Sequence, residues 1–292
     1  MKKTKEVVIE KFLLFSALIT ILTTIGIVLV LAIEAFKFFR EVSVFEFLTD
    51  TEWTPLFTKK RFGILPLLSG TFLTSIIAIA VALPIGLTIA IFLSEYAPRK
   101  FREYIKPSLE MLAAVPTVVY GFFALTVVTP FLQTIIPGMS GFNSLSAGIV
   151  MGIMIIPIIS SLSEDALRAV PNSLREASYG MGSTRLQTAF KVTVPAASSG
   201  IVVSIILAIS RAIGETMIVA IAAGQQPRLT MNPLVPVETL TAYIVQVSLG
   251  DVPHNSLEYR TIFAAGITLF IFTFILNNIS HWIKNKYREK YD

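Results

Sequence analysis

Cysteine is absent from the 292 residues, which excludes disulfide scaffolds, thiol nucleophiles, cysteine-ligated zinc and iron–sulfur centres. Histidine occurs only as His254 and His281, too few for a histidine-rich metal site. Charge is scarce as well: Asp, Glu, Lys and Arg make up 15% of the chain, where a soluble domain carries about 25%. No G-x-x-x-x-G-K-[ST] pattern occurs, so the chain has no P-loop of its own for nucleotide. H-E-x-x-H and G-x-S-x-G are missing too, and Ser140 in Gly138-Met139-Ser140-Gly141 has the wrong glycine spacing for a nucleophile. Hydrolytic chemistry, a bound metal and a cofactor held by this chain are therefore not expected. The net charge of +5 fits a bias of basic residues toward one membrane face better than nucleic-acid binding.

What the sequence does have is apolar length, with 54% hydrophobic residues. Phe12 to Ile33 is a charge-free run of 22 residues, enough to cross a hydrocarbon core of ~30 Å at ~1.5 Å per residue. The 33-residue run from Phe62 to Ser94 holds a span over about Leu67 to Leu93. Met111 to Ser163 is long enough for two helices, divided by the turn-forming cluster Pro137-Gly138-Met139-Ser140-Gly141. Ile201 to Gly224 is a fifth span, interrupted by Arg211 and Glu215, and Thr261 to Ile283 is the sixth. With the N-terminus inside, 16 Lys and Arg fall on the inner side and 7 on the outer, so both termini are expected in the cytoplasm. Residues 35–48 mix phenylalanines with charges, as a helix on the outer membrane face or an extension of span 1 would. Pro84, Pro116 and Pro157 are expected to kink their spans.

The largest inner loop is the richest segment. Leu167, Val170, Leu174, Ala177 and Met181 follow the period of one helical face, while Pro171 divides the stretch into two short helices. Ser173 with Glu176, and Thr184 with Gln187, have capping-box spacing, and Gly182 is placed to stop a helix in a left-handed turn. The apolar face either packs under the protein's own bundle or docks a soluble partner.

Glu176-Ala177-Ser178, then three residues, Gly182, nine residues and Val192-Thr193-Val194-Pro195 resembles the EAA loop of ABC importer permeases. The family pattern is E-A-A, three residues, glycine, nine residues and I-x-L-P; Ser178, Val192 and Val194 depart from it conservatively. The resemblance implies a type I importer fold, all-α and integral to the membrane, with six transmembrane helices and short cytoplasmic coupling helices. It also implies that Leu174, Glu176, Ala177, Ser178, Gly182 and Pro195 couple this chain to an ATPase.

A second constellation lies in span 5. Arg211 and Glu215 are four residues apart and share a helix face, which a charged pair inside a bilayer must turn toward the bundle or a polar path. They are either a packing ion pair or an anion site, in which the arginine's fork of donors matches a tetrahedral oxyanion. Gly214 leaves room beside them. The stretch Arg211-Ala212-Ile213-Gly214-Glu215-Thr216-Met217 resembles the permeases of the phosphate-specific ABC importer, the Pst system, and Met217 inclines it to the PstC type. Phe62-Gly63-Ile64-Leu65-Pro66, Ala82-Leu83-Pro84-Ile85-Gly86, Ser94-Glu95-Tyr96-Ala97-Pro98 and residues 114–121 agree.

The resemblance implies a complex in the prokaryotic cytoplasmic membrane: this chain, a second permease of the PstA type, two cytoplasmic ATPases carrying ATP and Mg, and an extracytoplasmic phosphate-binding protein. Arg211, Glu215 and Gly214 would then border the phosphate path. The expected organisation is a first span with an outer amphipathic segment over 1–66, a transmembrane domain over 67–284 with its coupling loop at about 164–195, and a tail over 285–292. Another oxyanion such as sulfate or molybdate, or an ion-coupled secondary transporter, is the alternative. The secondary transporter leaves the Glu176-to-Pro195 spacing without a reason.

Overall fold

The computed structural model describes residues 2–287; positions 288–292 of the expected tail lie outside them. Helix α1 (Lys2–Glu41) is followed by the short α2 (Val44–Thr49). Residues 35–48 therefore divide between an extension of the first span and a separate short helix. Then come α3 (Leu65–Ile91), whose last turns over Phe92–Tyr96 are π-helical, α4 (Arg99–Ala114) and α5 (Thr117–Phe123). A second π-helical stretch, Ala124–Val128, joins α5 to α6 (Thr129–Ile135). Helix α7 (Ser144–Arg168) is one long span, started by Asn143, whose side chain accepts from Ser146 N at 2.7 Å. Five helices are each long and apolar enough to cross a membrane, and a sixth results if the pair 185–196 and 198–213, bent by 73°, counts as one span.

Expected and observed spans coincide except at three places. Span 5 is broken: α11 (Ser198–Ile213) stops, and the chain resumes as α12 (Met217–Ala222) after Gly214–Thr216. Pro116 is not a kink but the residue that starts α5, after α4 has ended at Ala114, because a residue before proline is pushed out of the helical region. Pro84 and Pro157 do lie inside α3 and α7. The first of the two short loop helices is the end of α7 itself.

The bundle is organised around α3 and α7, the most extensive helix pair. Small residues let the backbones close: a Cβ on Gly152 would lie 2.8 Å from the Ala78 carbonyl oxygen, and one on Gly148 2.7 Å from Ile77 Cβ. In a bilayer, where lipid is as apolar as leucine, such close packing supplies much of the drive for helix association. Gly152→Val is expected to destabilise the fold by roughly 1–3 kcal/mol, visible as a lower midpoint in thermal unfolding of the detergent-purified protein. An unchanged midpoint would mean the two helices can part without cost.

Around this pair, Ala78, Ala82, Met151, Ile155 and Ile159 pack with Tyr120, Ala124, Ile218 and Val219 in the main core. A second, aromatic core closes the opposite end, where Phe38, Phe47, Trp53, Phe62 and Tyr243 meet edge to face. It joins α1 and α2 to α13 (Leu240–Leu249) and α14 (Leu257–Tyr287). The apolar side chains of α1 from Phe12 onward are mostly exposed, a surface suited to lipid rather than water.

Candidate functional site

The coupling segment is compact. Helix α8 (Asn172–Gly180) begins after Pro171 with no side-chain cap, so the Ser173–Glu176 capping box does not form; the helix starts two residues too early for it. The second box does form: Thr184 Oγ1 accepts from Gln187 N at 3.3 Å, and Gln187 Oε1 accepts from Thr184 N at 2.9 Å. That starts α9 (Arg185–Thr188), which passes through π-helical Ala189–Thr193 into α10 (Val194–Ala196). Gly182 has φ +85°, the left-handed turn its position predicts. Ser178 Oγ and Thr188 Oγ1 are hydrogen-bonded at 2.9 Å, pinning α8 to α9.

Leu174 packs into a third core with Ala90, Leu167, Val170, Ala197 and Ile201, tying α8 to α3, α7 and α11. Glu176, Ala177 and Pro195 are exposed, as are Tyr179, Met181 (87%), Leu186 and Phe190. The periodic face read from the sequence is thus shared: Leu167, Val170 and Leu174 turn toward the bundle, and Ala177 and Met181 stay open.

Arg175 holds this segment in place. Its Nη2 donates to Glu95 Oε1 at 3.1 Å and to Leu167 O at 2.8 Å, and its Nη1 donates to Val170 O at 2.6 Å. One guanidinium therefore binds the end of α3 and satisfies carbonyls at the C-terminus of α7, where a cation is favourable. A second cluster lies beside it on α7. Glu164, 1% exposed, faces Lys106 Nζ at 2.7 Å, Arg168 at 3.7 Å and Arg102 at 3.9 Å, anchoring α4. The Arg175–Glu95 and Lys106–Glu164 pairings have no signal in the sequence, since the partners are 80 and 58 residues apart; only Glu164 and Arg168 share a helical spacing.

In the broken span, the unwinding between α11 and α12 aims Glu215 inward. Its Oε2 accepts from Arg211 Nη1 at 2.8 Å, and its Oε1 accepts from the backbone N–H groups of Met217 at 3.2 Å and Ile218 at 3.4 Å. The carboxylate is 2% exposed while the guanidinium is 43% exposed. Arg211 Nη2 lies 3.9 Å from Met154 Sδ, and the remaining donors make no hydrogen bond among the described residues. A Cβ placed on Gly214 would meet only the carbonyl oxygens of Ser210 at 3.5 Å and Arg211 at 4.0 Å, so space is open on that side. The structure thus brings Arg211, Glu215 and Gly214 together and sets them apart from the six coupling residues. Chemically, this arrangement offers a fixed, partly desolvated cation with donors to spare and no general acid, nucleophile or metal ligand set around it.

Among residues the sequence left unremarked, Thr241 donates to the Glu215 carbonyl oxygen at 2.6 Å. The connection 223–239 folds back against the bundle: Val237 N donates to Ala223 O, and Leu240 N to Thr71 Oγ1. Glu238, in that connection, is 1% exposed. It is the one acid between Glu215 and Asp251, a signal that could have marked it.

A helical bundle with an exposed coupling loop and a broken span bearing an ion pair is the architecture of an ABC importer permease. The chain belongs to the family of binding-protein-dependent transport system inner membrane components, whose pattern matches residues 82–289. It is 35% identical over 272 residues to the probable ABC transporter permease protein YqgH of Bacillus subtilis, covering 92% of this chain and 88% of that one. To the phosphate transport system permease protein PstC of Mesorhizobium japonicum it is 36% identical over 261 residues, covering 82% and 78%. A chain of a bacterial alginate ABC transporter has the same fold, with TM-score 0.60 at 17% identity over 94% of this chain and 95% of that one. A MetNI methionine ABC transporter chain matches with TM-score 0.55 at 19% identity over 78% and 95%. The resemblance to PstC-type permeases and the type I importer fold are both borne out.

Proposed function

We propose that this chain is the permease subunit through which an ABC importer passes inorganic phosphate across the cytoplasmic membrane, with both termini inside. The observation that carries this reading is the Arg211–Glu215 pair at the break of a span, in a chain similar to PstC over four-fifths of its length. Arg211 is held by one edge on Glu215 and keeps donors available, so it can offset an oxyanion's loss of water without enclosing it. A second permease of the PstA type would supply the facing half of the path. Two ATPase subunits, carrying ATP and Mg, would seat the exposed residues of α8 to α10, and a phosphate-binding protein would deliver at the outer face. This chain does no hydrolysis; it converts closure of the ATPases, received at Glu176, Ala177, Ser178, Gly182 and Pro195, into movement of α3, α7 and α11.

The substrate is tested by labelled phosphate uptake in cells that depend on this chain. Uptake should persist in a large excess of sulfate or molybdate. Suppression by equimolar sulfate would overturn phosphate as the cargo and leave an importer for another oxyanion. For the coupling loop, Gly182→Val should strain the left-handed turn by roughly 1 kcal/mol and reduce ATP hydrolysis by the assembled complex. Gly182→Asn, which tolerates that conformation, should stay near native. Equal loss in both would place the cause in side-chain bulk rather than backbone geometry.

A further inference from the structure

Glu238 is buried to 1% exposure, and its side chain makes neither a hydrogen bond nor an ion pair among the described residues; Oε1 is sealed from solvent. The backbone carrying it is pressed onto α3 so tightly that a Cβ on Gly70 would lie 2.2 Å from the Glu238 carbonyl oxygen. On either side the segment is bonded down: Val237 N to Ala223 O at 2.9 Å, and Leu240 N to Thr71 Oγ1 at 3.0 Å. Three residues after Glu238, Thr241 reaches the Glu215 carbonyl oxygen, and Thr239 Oγ1 stands 3.1 Å from Thr241 Oγ1. A short rigid run thus connects an unpaired buried carboxyl to the residue that pairs with Arg211.

Among the described residues no charged side chain is paired with Glu238. Helix α12 and residues 65–91 of α3 carry no titratable side chain, and Glu95 at the far end of α3 is paired with Arg175. On α13, the Tyr243 hydroxyl is engaged with Thr261 Oγ1 at 2.6 Å. On α14, Glu258 is paired with Lys60, and Arg260 with Glu41. Arg211 is committed to Glu215. A carboxylate left alone in such surroundings is unfavourable, so the group is retained neutral or must move to water.

We propose that Glu238 is a positioning residue for the transport path: protonated, it locks residues 237–241 against α3 and so holds the Glu215 end of the Arg211 pair; ionised, it releases them. The inference rests on the transport role given above to Arg211 and Glu215. Glu238 lies in the connection 223–239, outside the spans, and burial pushes its carboxyl from the ordinary 4.5 to about 8. The packed form is therefore at full strength below pH 4.5, weakens as pH climbs toward about 8 and is constant above that. Across that window the balance moves toward the released form by roughly a thousandfold.

Because the chain has no cysteine, a single reporter thiol can be placed at the buried Val237 without competing sites. Maleimide labelling of Val237→Cys in the assembled complex is compared with that of Val237→Cys/Glu238→Gln at each pH, so that thiol ionisation cancels. The ratio should rise at least about tenfold between about pH 6 and about pH 8.5; a flat ratio overturns the proposal. Should the reporter variants not assemble, phosphate uptake by Glu238→Gln relative to the native complex serves instead, since the substrate's own ionisation cancels too. That ratio should increase with pH, and a constant value overturns the latch. Arg211→Gln separates the two readings. Added to the reporter, it should reduce uptake at least about tenfold while leaving pH-dependent labelling in place. A flat labelling ratio with defective Arg211→Gln removes only the latch, whereas normal uptake by Arg211→Gln removes the transport role on which it rests.

Discussion

Arg211→Gln should reduce phosphate uptake by about ten- to a hundredfold, the effect of one lost charge-assisted hydrogen bond of ~1.5–3 kcal/mol. The amount of chain in the membrane should change little. The guanidinium is 43% exposed, so the pair is partly screened and its loss costs the fold only about 1–2 kcal/mol. Glu215 would retain its two backbone donors, Met217 N and Ile218 N, in the mutant. Glu215→Gln should keep both of those bonds through its amide oxygen and impair uptake less than Arg211→Gln. Uptake of native rate by Arg211→Gln would reduce the pair to a packing device. Equal and complete loss in both variants, with normal abundance, would mean the pair acts as a unit rather than through its cation.

The second large effect is expected at Arg175, whose side chain is 13% exposed against 4% for Glu95. Arg175→Ala strands a buried carboxylate and two carbonyls at the end of α7, a cost of about 3 kcal/mol or more. Thermal unfolding of the purified complex should fall by about 5–10 °C. Removing both partners, in Glu95→Gln/Arg175→Gln, should recover part of that loss, since no uncompensated charge remains. In whatever complex still assembles, ATP hydrolysis by Arg175→Ala should no longer respond to the loaded binding protein. A melting point within about a degree of native would show that Leu174 and the third core suffice to seat α8.

These two sites were legible in the sequence to different degrees. Arg211 and Glu215 announce themselves because charge inside a 24-residue apolar stretch has few explanations. Their four-residue spacing survives because the helix breaks only after Gly214. The break itself was not legible: Gly214 alone does not end a helix, and it is Thr241, in the first turn of the distant α13, that takes up the freed Glu215 carbonyl. The turn at Gly182 was legible, since a turn needing a left-handed residue is a local property. Ser173 misled, because its capping pattern is also local but Pro171 had already fixed where α8 starts. Arg175 was passed over as one more surface cation of an inner loop. Its partner Glu95 stands 80 positions earlier, and only the parallel packing of α3 on α7, with Ile77 beside Gly148 and Gly86 beside Ile159, brings the two together. The membrane-facing length of α1, by contrast, needed no tertiary information.

The intimacy of α3 and α7 has a mechanical corollary. With Gly148 and Gly152 seated on Ile77 and Ala78, the two helices form a stiff spine that has few ways to flex. One place open to bending is the interruption of the ladder of backbone bonds at Gly214–Thr216. A thrust entering at the coupling loop would travel the spine as through a strut and be spent at that hinge, beside the guanidinium.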